Sequence, residues 1–424
     1  MTGFNEMSTK PETDWQTDAE KRWGNLRYPG KTVYLLGAGF SAPMGIPTLK
    51  DFIPIGLAEL CKDAGFSGAA GEVQASQRIV EAMNKLLPTF QGAVSCLGCA
   101  LGNLEDLFCL VDLAAQTGPV VKIDNKEPRQ VLTEFIHQVI TLCAKSHEAA
   151  IKKPSEPPRK WKVPTLEARQ FSAGYQSATS PKEKTRLGLP TSLPTATGDV
   201  CAYEAFVSRL LSKNAPLSYA EEDVVVTLNY DLVVEDAVRR IESKASGKVN
   251  YLTQYLPPLK GEDKALAGKV KTGNKPNLTI YKLHGSTDWK FENASHRKVL
   301  RIADCPPSTK KDTHYALVPP TWSKSAGPNS QWQKIYEGAM WHLKRADKIV
   351  IIGYSFPDTD AYFRYLLATA MNTPQLPSIS VVGLQAKKSA MKNYKPFLKP
   401  VARGEIRYFE DGFPNYLLKE GANE

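Results

Sequence analysis

Of the six histidines, at 137, 147, 284, 296, 314 and 342, only His284 ends an apolar run and precedes a glycine, in Tyr281-Lys-Leu-His-Gly-Ser-Thr-Asp-Trp289. An imidazole titrates near neutrality and can take a proton from a substrate or a water, so His284 is the candidate general base. The other five stand in helical or polar surroundings, and His137 belongs to a helix with a long apolar face. A second polar pair closes another apolar run, in Thr227-Leu-Asn-Tyr-Asp231. There Asn229 and Asp231 need polar partners in an apolar context, and either they face a ligand or they cap the helix that follows. Gly37-Ala-Gly-Phe-Ser-Ala-Pro-Met-Gly-Ile-Pro47 follows a third run. Its backbone N–H groups at Gly37, Ala38 and Gly39 and the Ser41 hydroxyl suit a pyrophosphate, although a plain strand-to-helix turn explains the same string. The fourth motif is Ile352-Gly-Tyr-Ser-Phe-Pro-Asp-Thr-Asp360, which offers Gly353, Ser355 and an Asp360 that can also cap a helix.

Each motif sits at the end of a predicted strand: Thr32–Leu36, Val224–Leu228, Leu278–Leu283 and Ile349–Ile352, with Ile379–Val382 and Ile406–Phe409 as further strands. Continuous apolar runs without alternation indicate strands buried on both faces, as in a parallel sheet. Helical patterns lie between them, clearest in Val131, Leu132, Phe135, Ile136, Val139, Ile140 and Cys143. The predicted fold is therefore α/β, a doubly wound, mostly parallel sheet that gathers its ligand residues at the carboxyl ends of the strands. A dehydrogenase would place a second strand ending in an acid about 20 residues after the glycine loop. Leu49 to Cys61 reads as a helix instead, which argues against hydride transfer. Residues 1–30 are expected as a flexible arm, about 53–150 as a helical insertion lobe, about 151–200 as a basic Pro-rich loop and 413–424 as a tail.

The chain has 424 residues, 42% of them hydrophobic, enough for a large core. Its apolar runs are far shorter than the ~20 residues of a membrane-spanning helix. A soluble cytoplasmic protein with no membrane contact is expected. Seven cysteines, at 61, 96, 99, 109, 143, 201 and 305, form an odd, scattered set, read as reduced and buried. Cys96 and Cys99 make one CxxC with no second pair, so no metal is expected. The net charge of +10 comes from residues 151–190, with nine Lys/Arg against three acids, and 241–280, with seven against three. Such segments can be solvated loops or can meet nucleic acid, a pyrophosphate or an acidic partner.

In this order and spacing, GAGFSAPMGIP, TLNYD, KLHGS and GYSFPDTD resemble the sirtuin (SIR2) superfamily, and more closely its stand-alone bacterial SIR2-like branch from anti-phage defence systems. The resemblance covers roughly residues 31–412 and includes Asn103-Leu-Glu-Asp-Leu-Phe108 and Leu317-Val-Pro-Pro-Thr-Trp-Ser-Lys324. It implies a Rossmann-like catalytic domain with NAD⁺ as substrate. Gly37, Ala38, Gly39 and Ser41 would line the pyrophosphate, Asn229 and Asp231 the nicotinamide ribose and amide, and Gly353, Ser355 and Asp360 the adenosine side. His284 would be the base near the ribose or the attacking water.

Protein-deacetylating sirtuins carry a four-cysteine zinc ribbon after the HG motif, whereas here only Cys305 follows His284. The GIPDF-Arg stretch of those enzymes reads Gly45-Ile-Pro-Thr-Leu-Lys50, and Val381-Val-Gly-Leu lacks the Asn that often follows the Val pair. The resemblance therefore implies an NAD⁺ glycohydrolase, releasing nicotinamide and ADP-ribose and defending the cell by NAD⁺ depletion (abortive infection). A deacylase or ADP-ribosyltransferase, and a non-catalytic subunit sensing NAD⁺ or ADP-ribose, are the alternatives. A homo-oligomer and a separate sensor partner such as a HerA-type ATPase are implied, with the two basic segments as contact surfaces for it or for nucleic acid.

Overall fold

The computed structural model describes residues 30–49, 52–65, 70–90, 103–117, 122–152, 202–214, 222–244, 251–254, 278–291, 299–301, 314–318, 331–357, 360–371, 376–384, 386, 402–410, 412–413 and 416–417. The expected arm at 1–29 and nearly all of the Pro-rich loop lie outside them, as do Cys96, Cys99, Cys201 and Cys305.

The strands in chain order are β1 (Thr32–Leu36), β2 (Val224–Thr227), β3 (Tyr251–Gln254), β4 (Leu278–Lys282), β5 (Gly285–Phe291), β6 (Val299–Arg301), β7 (Tyr315–Leu317), β8 (Lys348–Ile352), β9 (Ser378–Val382) and β10 (Arg407–Phe409). Seven form one sheet in the order β10-β9-β8-β1-β2-β4-β3, and every pairing in it is parallel. All six predicted strands are present in this sheet. Successive side chains point to opposite faces. Val225, Ile280, Val350 and Ile352 enter one core, and Val33, Leu35, Val226 and Ile351 enter the other. Burial on both faces is what the unbroken apolar runs require.

The helices are α1 (Ala38–Ser41), α2 (Phe52–Gly65), α3 (Ala70–Thr89), α4 (Leu104–Thr117), α5 (Pro128–Lys152), α6 (Ala202–Asn214), α7 (Val233–Lys244), α8 (Gln331–Arg345) and α9 (Ala361–Met371). Elements α2 to α5 supply the stretch expected to be helical. Phe52, Met83, Leu107, Phe135 and Val139 from these helices share a core with Phe40 and Ile352 of the sheet edge. On the other face, Ile335 and Leu343 of α8 and Phe363 and Leu367 of α9 pack on Val33, Leu35 and Ile351.

The structure differs from the expectation in three places. β3 adds an unforeseen parallel strand at the sheet edge. β5, β6 and β7 form a separate antiparallel sheet, β6-β5-β7, in a stretch where no strand was expected. Gly-Ser-Thr-Asp-Trp-Lys-Phe has no alternation to mark it as a strand, because six of its seven residues are buried. Phe413, Tyr416 and Leu417 are buried in the first core, so packing continues beyond residue 412. Phe413 lies with its ring centroid 4.6 Å from that of Phe40.

The chain runs from β1 outward through β2 to β4, then returns to lay β8 against the other edge of β1. The connections leaving β1 and β8 therefore diverge and open a crevice at their carboxyl ends, where open α/β sheets bind ligands.

Candidate active site

Two glycine turns meet at this crevice. The Gly37 N–H donates to the Ile352 carbonyl at 2.9 Å and the Gly39 N–H to the Gly353 carbonyl at 2.7 Å. A Cβ on Gly37 would lie 2.6 Å from Tyr354 Cα, and one on Gly39 would lie 2.8 Å from Gly353 Cα. Gly353 has φ +64°, and a Cβ there would stand 2.2 Å from the Phe40 nitrogen. The close approach that these glycines allow is thus between the two turns, and the Gly37 and Gly39 N–H groups are already engaged by the chain. Phe40, gripped by Tyr203, Phe206 and Phe413, anchors the first turn in the core.

A cleft partly open to solvent lies over this junction. Its lining includes Gly37, Ala38 and Ser41 from the first turn, Asn229, Tyr230 and Asp231 after β2, His284 after β4, and Tyr354 and Asp360 after β8. The helical lobe closes it with Phe52, Glu105 and Ile140. Seven of the ten sequence-predicted residues therefore meet in one cleft. Gly39 and Gly353 support it from behind, and Ser355 is exposed outside the lining.

Asn229 is held by three hydrogen bonds. Its Nδ2 donates to the Gly37 carbonyl and to Ser41 Oγ, each at 2.9 Å, and its own N–H donates to Thr227 Oγ1 at 3.1 Å. A carbonyl can only accept, so the amide nitrogen must face Gly37, and Oδ1 is the acceptor end turned away from it. The buried Ser41 hydroxyl thus meets Asn229, tying the turn after β1 to the end of β2.

Asp231 caps the helix that follows and also lines the cleft. Its Oδ1 accepts the Val233 N–H at 3.1 Å at the start of α7. Behind it the buried Lys282 ammonium donates to the Asp231 carbonyl and pairs with Glu235 at 3.1 Å. Burial pushes the Glu235 carboxyl up, and the Lys282 charge opposes that shift.

His284 is buried, with Nε2 at 3.6 Å from Asp360 Oδ2. Tyr354 Oη donates to that same oxygen at 2.9 Å. The backbone carbonyl of His284 accepts the Val318 N–H at 2.8 Å. Gly285, at φ +86°, then turns the chain from the parallel sheet into β5. This is a backbone conformation that a side chain disfavours, which accounts for the glycine directly after the histidine.

Glu105 was legible only as part of an acidic helix start. Asn103 Oδ1 accepts its N–H at 3.0 Å, and the carboxylate-bearing residue is buried in the cleft lining. Tyr354 carried no signal, since an aromatic after a strand reads as core. Among the described residues, no group of His, Cys, Asp and Glu is arranged to hold a metal ion. Cys143 is buried, Cys109 is partly so, and Cys61 is exposed, contrary to the expectation of buried thiols. His137 and His342 are structural, as expected: His137 stacks on Tyr315 at 3.9 Å, and His342 Nδ1 meets the Lys31 ammonium at 2.7 Å. No helix among the described residues is long and apolar enough to cross a membrane.

No curated protein matches the chain. Similar solved structures include a triple mutant of a Sir2 homologue in complex with 2′-O-acetyl ADP ribose, at 13% identity and TM-score 0.33, covering 93% of this chain and 91% of the other. A Sir2 bound to an acetylated peptide is similar at 11% identity and TM-score 0.33, covering 93% and 94%. A Sir2 complex with a p53 peptide and NAD⁺ is similar at 12% identity and TM-score 0.32, covering 93% and 95%. The family model described as a SIR2-like domain matches residues 223–393, a span that contains Asn229, Asp231, His284 and Asp360. Residues 223–393, two fifths of the chain, are thus similar to a SIR2-like domain.

Proposed function

We propose that this chain is an NAD⁺ glycohydrolase that releases nicotinamide and ADP-ribose. The observation that carries the reading is the convergence of Asn229, Asp231 and His284 with the turn at Gly37, Ala38 and Ser41 in one cleft at the switch point of the sheet. In the reaction the bond between C1′ of the ribose and the pyridinium nitrogen breaks, and its electron pair neutralises that nitrogen. Water oxygen bonds to C1′, and the proton it loses passes to His284 and then to solvent. Positive charge gathers on the ribose as the bond breaks, where the cleft presents the carboxylates of Glu105, Asp231 and Asp360. The Asn229 amide, locked by its bonds to Gly37 and Ser41, orients the water through Oδ1.

The absence of a zinc ribbon after His284 and the Gly45-Ile-Pro-Thr-Leu-Lys50 stretch favour water over an acyl-lysine as nucleophile. Incubation with NAD⁺, with and without an acetyl-lysine peptide, and chromatography of the products tests this. Equal release of nicotinamide and ADP-ribose in both samples is expected. Release only with the peptide would make the chain a deacylase, and NAD⁺ binding without turnover would make it a sensor.

An unrestrained NAD⁺ hydrolase would drain its host, so the reading extends to an anti-phage role gated by homo-oligomerisation or by a partner such as a HerA-type ATPase. The basic segments at 151–190 and 241–280 are the proposed contact surfaces. Neutralising both should lower assembly or activation, and unchanged assembly with full activity would contradict their role.

A further inference from the structure

Asp360 sits directly before α9, where an aspartate ordinarily caps the helix from a solvated position. Here the residue is 1% exposed, and its Oδ2 is turned inward to the Tyr354 hydroxyl at 2.9 Å and His284 Nε2 at 3.6 Å. A buried carboxylate is costly unless its lone pairs find donors; the Tyr354 hydroxyl is one, and the His284 imidazole stands at ion-pair distance. The turn that brings them together is itself constrained. Gly353 has φ +64°, and the buried Phe356 adopts φ +53°, a conformation rare for a bulky side chain.

We propose that Asp360 is the positioning residue of His284, setting its tautomer and ring orientation, with Tyr354 holding the carboxylate in place. This rests on the reading of His284 as the base and assigns Asp360 a role other than an adenosine contact. A carboxylate facing Nε2 favours the tautomer with the proton on Nε2, which leaves Nδ1 as the proton acceptor. The 3.6 Å separation is an ion-pair distance, and catalytic hydrogen bonds that are long in an unliganded site often shorten in the substrate complex. The other groups around the imidazole are Tyr230, with ring centroids 6.1 Å apart, and the Asp231 and Glu105 carboxylates of the same lining. Asp360 forms an ion pair with the ring.

The test is ¹⁵N NMR of histidine-labelled full-length protein, with His284→Gln used to assign the resonance, beside steady-state kinetics with NAD⁺. In wild type the neutral His284 ring should carry its proton on Nε2. In Asp360→Asn the tautomer should change, with kcat falling about 10–100-fold, KM nearly unmoved and partial rescue by Asp360→Glu. Tyr354→Phe, a smaller change that keeps the carboxylate, should shift the same resonances in the same direction. An unchanged tautomer in both variants, or a raised KM with kcat intact in Asp360→Asn, would overturn the proposal. If wild type turns over no NAD⁺, the hydrolase reading fails, while the NMR measurement on unliganded protein still decides whether Asp360 governs His284.

Discussion

Asn229 shows how a single side chain can serve both architecture and chemistry. Its amide nitrogen is consumed by Gly37 and Ser41, so the acceptor oxygen is the part left for a ligand or a water. Asn229→Asp should therefore be more damaging than its small change in volume suggests. It places a carboxylate against the Gly37 carbonyl and removes the donor that both acceptors use, at a cost of about 1–3 kcal/mol in stability together with loss of turnover. Thermal melts of Asn229→Asp beside Asn229→Ala would read the first effect, and nicotinamide release the second. Most of these residues were legible from type and place, because Asn, Asp and His at the ends of apolar runs stand out chemically. The pairing of Asp360 with His284 was not. Seventy-six positions separate them, and only the parallel alignment of β4 and β8 on either side of β1 and β2 brings their ends together.

The turns after β1 and β8 form one unit, since each glycine in one is required by the backbone of the other. Gly353→Ala should cost about 2 kcal/mol or more, combining left-handed strain with a Cβ 2.2 Å from the Phe40 nitrogen. Urea unfolding would measure it, and a near-neutral result would mean that the turns separate freely. Phe413→Ala should destabilise by about 3–5 kcal/mol, because it empties the aromatic cluster that holds Phe40. The buried parallel strands announced themselves as short apolar runs. The antiparallel β5–β7 sheet did not, since its burial comes from tertiary packing that Ser286, Thr287 and Lys290 give no reason to expect. The role of Phe413 was hidden for a similar reason: a single aromatic near the end of the chain has no periodicity to reveal its partners.

Across the whole molecule, the partly buried His137 and the buried His342 link folding to pH. Burial lowers the His137 pKa from its ordinary 6.5 to about 4. His342, fully buried beside Lys31 and Arg345, is shifted in the same direction. Between about pH 6.5 and 4 the unfolded chain takes up a proton at position 137 that the folded chain refuses. Stability is therefore lost as pH falls through that window, by up to about 1.4 kcal/mol per pH unit for one such residue. Asp223 and Glu235, whose carboxyls burial pushes up, act in the opposite sense. The informative comparison is consequently wild type against His137→Phe, whose denaturation midpoint relative to wild type should rise between pH 7.5 and pH 5. A constant difference across that range would contradict the assignment of His137 as a partly buried neutral ring.

In the proposed reaction Asn229 and His284 of one cleft cut the glycosidic bond of NAD⁺. Nicotinamide release from NAD⁺ should be followed with wild type, Asn229→Ala and His284→Ala, each checked for folding and for NAD⁺ binding. Turnover by the wild type and its loss in both folded variants are expected. Folded variants that release nicotinamide at the wild-type rate would contradict it.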